Sequence, residues 1–243
     1  MNSSPPRVAL ITGASRGIGR QLALGCASRG ISVAVNFISS TEAADAVVRE
    51  IQKLGGTALA VQADCAEPAA VSTMVESVTA QLGRVDYLIN NAGVGTHHPI
   101  EELREDHFDD VIRNNLRSAF LVTQAVVPHM RDSEFGRLIF MSSLAARTGG
   151  KLSAAYAASK GGMEGLMHYY ATCLSRTGIT ANALAPALLA TDMVDAMPHL
   201  DPRSLPTGRL GRAEELWPAT QMLLECSYIT GQTIHVNGGL YMT

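Results

Sequence analysis

The stretch VALITGASRGIG, residues 8–19, opens with a short apolar run and passes directly into three glycines, Gly13, Gly17 and Gly19, spaced GxxxGxG. A strand, a glycine turn and a helix start in that order aim unpaired backbone N–H groups and the positive end of a helix dipole at one point. A pyrophosphate is held at such a point. Glycine there lets a phosphate approach the main chain, although tight turns also use glycine for steric reasons alone. What favours a dinucleotide is the place of the trio in the first strand–helix unit. Ser15, Arg16 and Ile18 belong to the same turn.

Outward from this stretch, apolar runs recur at VAVNF (33–37), ALAVQ (58–62), YLIN (87–90), LIFM (138–141), ITANAL (179–184) and TIHV (233–236). They read as strands buried on both faces. Between them the period becomes helical. After Thr41, an expected N-cap, Ala44, Val47, Val48, Ile51 and Leu54 recur at helical steps until Gly55-Gly56. Pro68 then opens a second stripe, Val71, Met74, Val75, Val78 and Leu82, which Gly83 ends. Strands alternating with helices predict an α/β fold, a doubly wound parallel sheet of about seven strands with helices on both faces. The chain is expected to form one domain over 1–243, with strand order left open by spacing. Two later segments, 114–130 and 161–174, are apolar around most of their circumference and need cover on more than one side. That cover is either the rest of the chain or a second subunit.

Composition narrows the function. The chain has 243 residues, 47% of them hydrophobic, enough for a sizeable core. With 19 Lys+Arg against 22 Asp+Glu the formal charge is -3, and no basic run tracks a phosphate backbone, so no nucleic-acid partner is expected. Cys26, Cys65, Cys173 and Cys226 are scattered and form no CxxC pair, which signals neither a zinc site nor a disulfide framework. The N-terminus MNSSPPR has no charged segment leading into an apolar one, and no uncharged segment is long enough to span a membrane. A soluble, cytoplasmic protein is expected. His97 and His98 lack a second ligand cluster, so no metal is expected and exposed loop histidines are the preferred account.

The end of the second strand bears on the choice of dinucleotide. NAD sites place an acid there to hold the ribose 2′-hydroxyl. Here Asn36-Phe37 stand at that end, and the nearest acid, Glu42, lies inside the next helix. Arg16 in the glycine turn is placed to meet a 2′-phosphate instead. A charge-assisted hydrogen bond of about 1.5–3 kcal/mol favours NADP(H) over NAD(H) by roughly ten- to a hundredfold. NAD(H) is the alternative if Arg16 is merely solvated.

YAASK, residues 156–160, sets Tyr156 one helical turn before Lys160. Alone this is an ordinary pair. Joined with TGASRGIG (12–19), NNAG (90–93), NNL (114–116) and Ser143 thirteen residues before Tyr156, it closely resembles the short-chain dehydrogenase/reductase family, from Val8 to GQTIHVNGG (231–239). The resemblance implies a Rossmann-type domain that moves a hydride between a nicotinamide cofactor and a carbonyl or alcohol. It assigns Asn115, Ser143, Tyr156 and Lys160 to catalysis. It also implies that Asp64 lies near the adenine, that Asn91, Ala92 and Gly93 line the cofactor, and that Pro186, Leu189 and Thr191 surround the nicotinamide. The cofactor set thus comprises Gly13, Ser15, Arg16, Gly17, Ile18, Gly19, Asn36 and these residues, with Tyr156 and Lys160. Chemistry supplies reasons for each catalytic residue. A phenol of ordinary pKa ~10 serves as general acid to a nascent alkoxide, and an ammonium within roughly 4–6 Å lowers that pKa. Ser143 would donate to the substrate oxygen. By the resemblance Lys160 also binds the nicotinamide ribose, and Asn115 holds a water that relays a proton to it.

Within the family the chain is most similar to 3-oxoacyl-acyl-carrier-protein reductases, through TGASRGIG, GRLGRAEE (208–215) and HVNGGLYM (235–242). That implies an NADPH-dependent reductase of fatty acid biosynthesis acting on a 3-oxoacyl thioester, with an acyl carrier protein as partner and a cytoplasmic homotetramer. Three departures stand against it. Pro186-Ala187 replaces the usual Pro-Gly, the lid from Thr191 to Gly208 is short, and Glu134 and Thr177 neighbour Arg131 and Arg176 where a carrier-docking surface would be basic. An alcohol, sugar or general carbonyl oxidoreductase is the alternative. A non-catalytic NADP-binding scaffold is disfavoured by the intact tetrad.

Overall fold

The computed structural model describes residues 6–191 and 201–243. Seven strands, β1 (Val8–Ile11), β2 (Ser32–Phe37), β3 (Ala58–Gln62), β4 (Val85–Asn90), β5 (Gly136–Met141), β6 (Ile179–Pro186) and β7 (Thr233–Val236), form one sheet. Its order is β3-β2-β1-β4-β5-β6-β7, with all neighbours parallel. Every expected strand is present. The order reverses between β1 and β4, and in such a sheet the ligand crevice opens at the carboxyl ends of those strands. Burial on both faces holds for β1, β2, β5 and β6, but β7 is half-buried throughout and β3 is mostly so. Both lie at an edge, where one neighbour is missing.

Helices α1 (Gly17–Ser28), α2 (Thr41–Lys53), α3 (Pro68–Leu82), α4 (Glu105–Ile112), α5 (Ser118–Asp132), α6 (Ala145–Thr148), α7 (Ala154–Cys173) and α8 (Trp217–Glu225) flank the sheet. Along β1 alternate side chains feed opposite cores. Leu10 joins Val75, Val126 and Met163 from α3, α5 and α7, while Ala9 and Ile11 join Leu22, Val47 and Leu223 from α1, α2 and α8. The helical stripes pack as expected except at Leu54, which is 73% exposed beyond the end of α2. Ser40, not Thr41, occupies the N-cap of α2.

The two apolar segments are organised differently from simple helices. Residues 114–130 are divided by a π turn, Arg113–Arg117, between α4 and α5. Residues 161–174 fall mostly within α7, the helix that carries Tyr156 and Lys160. Of the expected lid, residues 192–200 lie outside the described residues, and 201–208 contain a 3₁₀ turn at Pro202–Ser204. Ala187 does not disturb its loop. Among the described residues only Glu134 and Arg176 are non-glycines with positive φ, so the chain at 187 follows a path open to any residue. No described helix is long and apolar enough to cross a membrane.

Candidate active site

Gly13 and Gly17 adopt φ of +61° and +56°, a region that glycine alone enters without strain. A Cβ on Gly13 would stand 3.0 Å from the Ala92 Cα, and one on Gly19 would stand 2.6 Å from the Asn91 Nδ2. These two glycines let the turn pack against the chain after β4. Gly17 faces open space. Helix α1 starts there with no side-chain cap from Arg16, so its first N–H groups are left for a ligand. Ile18 is half-buried and packs on the core.

The turn borders a cleft of about 220 Å³ lined by Gly13, Ser15, Arg16, Asn36, Asp64, Asn91, Ala92 and Gly93 among others. Asn36 shapes this cleft from beneath. Only 2% exposed, it accepts the Gly13 N–H at 3.2 Å and donates to the carbonyls of Val61 and Ala63 at 3.3 and 3.1 Å. Asn91 is similarly engaged, its carboxamide donating to the carbonyls of Thr12 and Gly13 at 2.9 and 3.0 Å. The Thr12 hydroxyl accepts the N–H groups of Asn91 and Ala92, both at 2.9 Å. Sequence reading missed Thr12, because only the β1–β4 neighbourhood reveals its role.

At the far end of the cleft stand Phe37, Ile38, Ser39 and Ser40, also missed. The available signal was a pair of hydroxyls following a second strand that ends without an acid. Asp64 lines the same end. Its carboxylate accepts the Ala66 N–H at 2.9 Å and pairs with Arg113 at 2.7 Å, and Arg113 also reaches Glu67 at 2.7 Å. Burial alone would raise the Asp64 pKa, but the Ala66 N–H and the Arg113 guanidinium outweigh it and hold the carboxyl below its ordinary value.

The other end of the crevice gathers the four expected catalytic residues around the start of α7. The Ser153 hydroxyl caps this helix by accepting the Tyr156 N–H at 3.2 Å. Tyr156 is 8% exposed and Lys160 5%. The Lys160 ammonium lies 5.6 Å from the phenol ring centroid and donates to the Met141 carbonyl at 2.7 Å. Ser143, just past β5, stands close enough to the Tyr156 phenol to favour its ionised form, and its hydroxyl accepts the Ala145 N–H, the first of α6, at 3.2 Å. Asn115 sits in the π turn, fully buried. Its Oδ1 accepts the Val94 N–H at 2.7 Å, and its Nδ2 donates to the Val94 carbonyl and the Ser159 hydroxyl, both at 3.0 Å. The carboxamide is thus fully engaged within the chain. A Cβ on Gly93 would stand 3.0 Å from the Asn115 Oδ1 and 3.7 Å from the Lys160 Nζ, which accounts for glycine at that point.

The electrostatics differ from the expectation in one respect. Burial raises the phenol pKa of Tyr156, and the nearby Ser143 hydroxyl only partly opposes it. Burial also brings Lys160 down to about 8. The phenol thus stands above its ordinary value and not below it, because loss of water around the group is the largest effect.

Of the remaining site residues, Pro186 ends β6, and its carbonyl accepts the Leu144 N–H at 2.9 Å, which ties this segment to the Ser143 turn. Leu189 is 5% exposed, with its side chain in the core, so only its main chain is offered to the crevice. Thr191 donates to the Leu189 carbonyl at 3.3 Å. His98 stacks on His107 at 3.9 Å, and its N–H donates to the Leu152 carbonyl, while His97 is exposed.

Residues 7–200 match the family model described as short chain dehydrogenase. The chain belongs to that family. It is 41% identical over 240 residues to the 3-oxoacyl-[acyl-carrier-protein] reductase FabG of Staphylococcus aureus, covering 96% of this chain and 98% of the relative. The 3-oxoacyl-[acyl-carrier-protein] reductase of Synechocystis is 38% identical over 247 residues, with both chains covered completely. The FabG of Salmonella typhimurium is 36% identical over 243 residues, covering 97% and 98%. The protein is thus an oxidoreductase that interconverts C=O and CH–OH with a nicotinamide cofactor. Its residues fit that cofactor: the uncapped start of α1 and the open side of Gly17 suit a pyrophosphate, and the cleft wall from Phe37 to Ser40 carries no carboxylate.

Proposed function

We propose that this protein reduces a 3-oxoacyl thioester to the 3-hydroxyacyl thioester with NADPH, Tyr156 acting as general acid. The observation that carries this reading is the convergence of half-buried Ser143 with buried Tyr156 and Lys160 at the carboxyl edge of the sheet, beside the glycine cradle. Full-length likeness to 3-oxoacyl reductases supports the substrate class. Gly13, Ser15, Arg16, Gly17, Ile18 and Gly19 would hold the pyrophosphate, with Arg16 on the 2′-phosphate and Ser39 and Ser40 beside it. When bound, NADPH supplies the hydride. The Ser143 hydroxyl orients the substrate oxygen and donates a hydrogen bond as charge grows there. Tyr156 gives its proton to that oxygen, and its raised pKa keeps it protonated at neutral pH. Lys160, largely cationic below its pKa of about 8, orients the nicotinamide ribose and favours the phenolate left behind.

The chain is proposed to act as one domain and as a cytoplasmic homotetramer. Exposed Phe120 on α5 and Tyr169 on α7 support an apolar contact between copies, and a monomer by light scattering overturns it. An acyl carrier protein is the proposed thioester carrier. Glu134 and Thr177 beside Arg131 and Arg176 favour a second reading, a general carbonyl or alcohol substrate without a carrier. Following NADPH oxidation with acetoacetyl-CoA and simple ketones, and NAD(P)+ reduction with simple alcohols and diols, decides between them. Turnover of the thioester with NADPH is expected. Activity confined to simple alcohols with NAD would overturn the proposal.

A further inference from the structure

Tyr156, Lys160 and Glu164 recur every four residues and share one face of α7. Glu164 is 5% exposed, in a helix whose neighbouring core positions are filled by Met163 and Met167. An apolar side chain would fill such a place at less cost than a carboxylate, so the charge calls for a specific reason. Its two oxygens go to two points of the chain. Oε1 accepts the Ser142 hydroxyl at 3.0 Å, and Oε2 pairs with the Arg147 guanidinium at 2.6 Å. Ser142 comes immediately before Ser143, and Arg147 lies in α6, the short helix whose first N–H the Ser143 hydroxyl accepts. The Ser142 hydroxyl also reaches the Lys160 carbonyl at 3.3 Å. One carboxylate on the Tyr156 helix therefore grips the chain on both sides of Ser143.

We propose that Glu164, with Arg147, is a positioning residue that sets the Ser143 hydroxyl against the Tyr156 phenol. The inference rests on the reading of Ser143 as the donor to the substrate oxygen. A hydrogen-bond donor works only where the oxygen will stand, and a displacement of about 1 Å costs on the order of a hundredfold in rate. Loss of the grip lets the turn rotate while the cofactor cleft, built from β1, β2 and β4, keeps its shape.

A mutant cycle tests this. Glu164→Met and Arg147→Met are each made in the wild-type and the Ser143→Ala backgrounds. They are assayed with NADPH and acetoacetyl-CoA, or with the diketone diacetyl should the thioester be inert, and NADPH affinity is measured by calorimetry. In the wild-type background kcat is expected to fall roughly ten- to a hundredfold, with NADPH affinity unchanged. In the Ser143→Ala background the same changes are expected to have almost no further effect. Arg147→Lys, which keeps charge but loses the planar fork, is expected to fall between. Equal losses in both backgrounds, or full activity in the wild-type background, overturn the proposal. Should Glu164→Met fail to fold, Arg147→Met and Ser142→Ala each release one side of the grip and carry the same cycle. If Ser143→Ala alone leaves kcat unchanged, it is the assignment of Ser143 that fails, a result separate from the others.

Discussion

Replacing Lys160 by methionine separates what the site needs from what the fold needs. Burial moves the lysine pKa from 10.5 to about 8, which corresponds to a penalty on the order of 3 kcal/mol for carrying the charge at neutral pH. Methionine fills a similar volume without that charge. It forfeits the 2.7 Å hydrogen bond to the Met141 carbonyl, worth about 1.5–3 kcal/mol from a charged donor. The variant should thus lie between equal to wild type and about 2 kcal/mol more stable at pH 7, or up to ~4 °C higher in Tm for a chain of this size. The pH dependence gives the cleaner sign. The folded state releases this proton near 8 and the unfolded state near 10.5, so between those values the unfolded chain binds more protons. The penalty is fully present below 8 and vanishes as the pH rises through 10.5. The stability of the variant relative to wild type should therefore fall by about 2 kcal/mol between pH 7 and pH 10, on the order of 5 °C. Cys26 and Cys65, each pushed up to about 12 by burial, lose stability in the same alkaline range but do so in both proteins, so the difference isolates Lys160. Thermal melts of the two proteins across that range, with activity measured in parallel, are the assay. A variant markedly less stable at neutral pH, or a gap indifferent to pH, would refute the reasoning, whatever happens to turnover.

Tyr156→Phe should lower kcat by at least ~10²–10⁴-fold and leave NADPH binding nearly intact by calorimetry; retained turnover places the proton donor elsewhere. Arg16→Ala should weaken NADPH by roughly ten- to a hundredfold and NADH much less, and equal losses would move the 2′-phosphate contact to another group, Ser39 or Ser40 first. Asn36→Asp, an obvious change for redirecting the site to NAD, should instead destabilise the fold. It sets a carboxylate against the carbonyls of Val61 and Ala63 in place of two donated hydrogen bonds, at a cost of at least about 2–3 kcal/mol and ~5 °C in Tm. An unchanged melting curve would show that Asn36 is no brace.

The glycine turn, the seven strands and the Tyr156–Lys160 pair were legible because each depends on local spacing, over four to about a dozen residues. The inward uses of Asn36 and Asn91 were not, since they depend on β2, β1 and β4 lying side by side, an order that spacing does not encode. Both asparagines line the cleft, as read, but spend their side chains on the chain beneath it. The π turn at Asn115 escaped notice for another reason. Its apolar pattern passes smoothly into α5, and a single widened turn leaves no mark on hydrophobic periodicity. Glu164 reads in sequence as one polar residue on an apolar helix, and only its two partners, 17 and 22 residues away, give it a role.

Under the proposed mechanism, burial of the Tyr156–Lys160 pair also bears on the direction of catalysis. Removing water disfavours charge on either group, so the phenol is held as phenol and the amine is drawn toward neutrality. Reduction of a carbonyl begins from the protonated phenol, the form that burial favours, and needs the phenolate only as the proton leaves. Oxidation of an alcohol must begin from the phenolate, which here is less accessible than in an exposed tyrosine. The nearby Ser143 hydroxyl works the other way, favouring the phenolate. A turn that holds Ser143 in register would thus ease proton release, while burial keeps the resting phenol protonated near neutral pH, a combination that suits the proposed reduction.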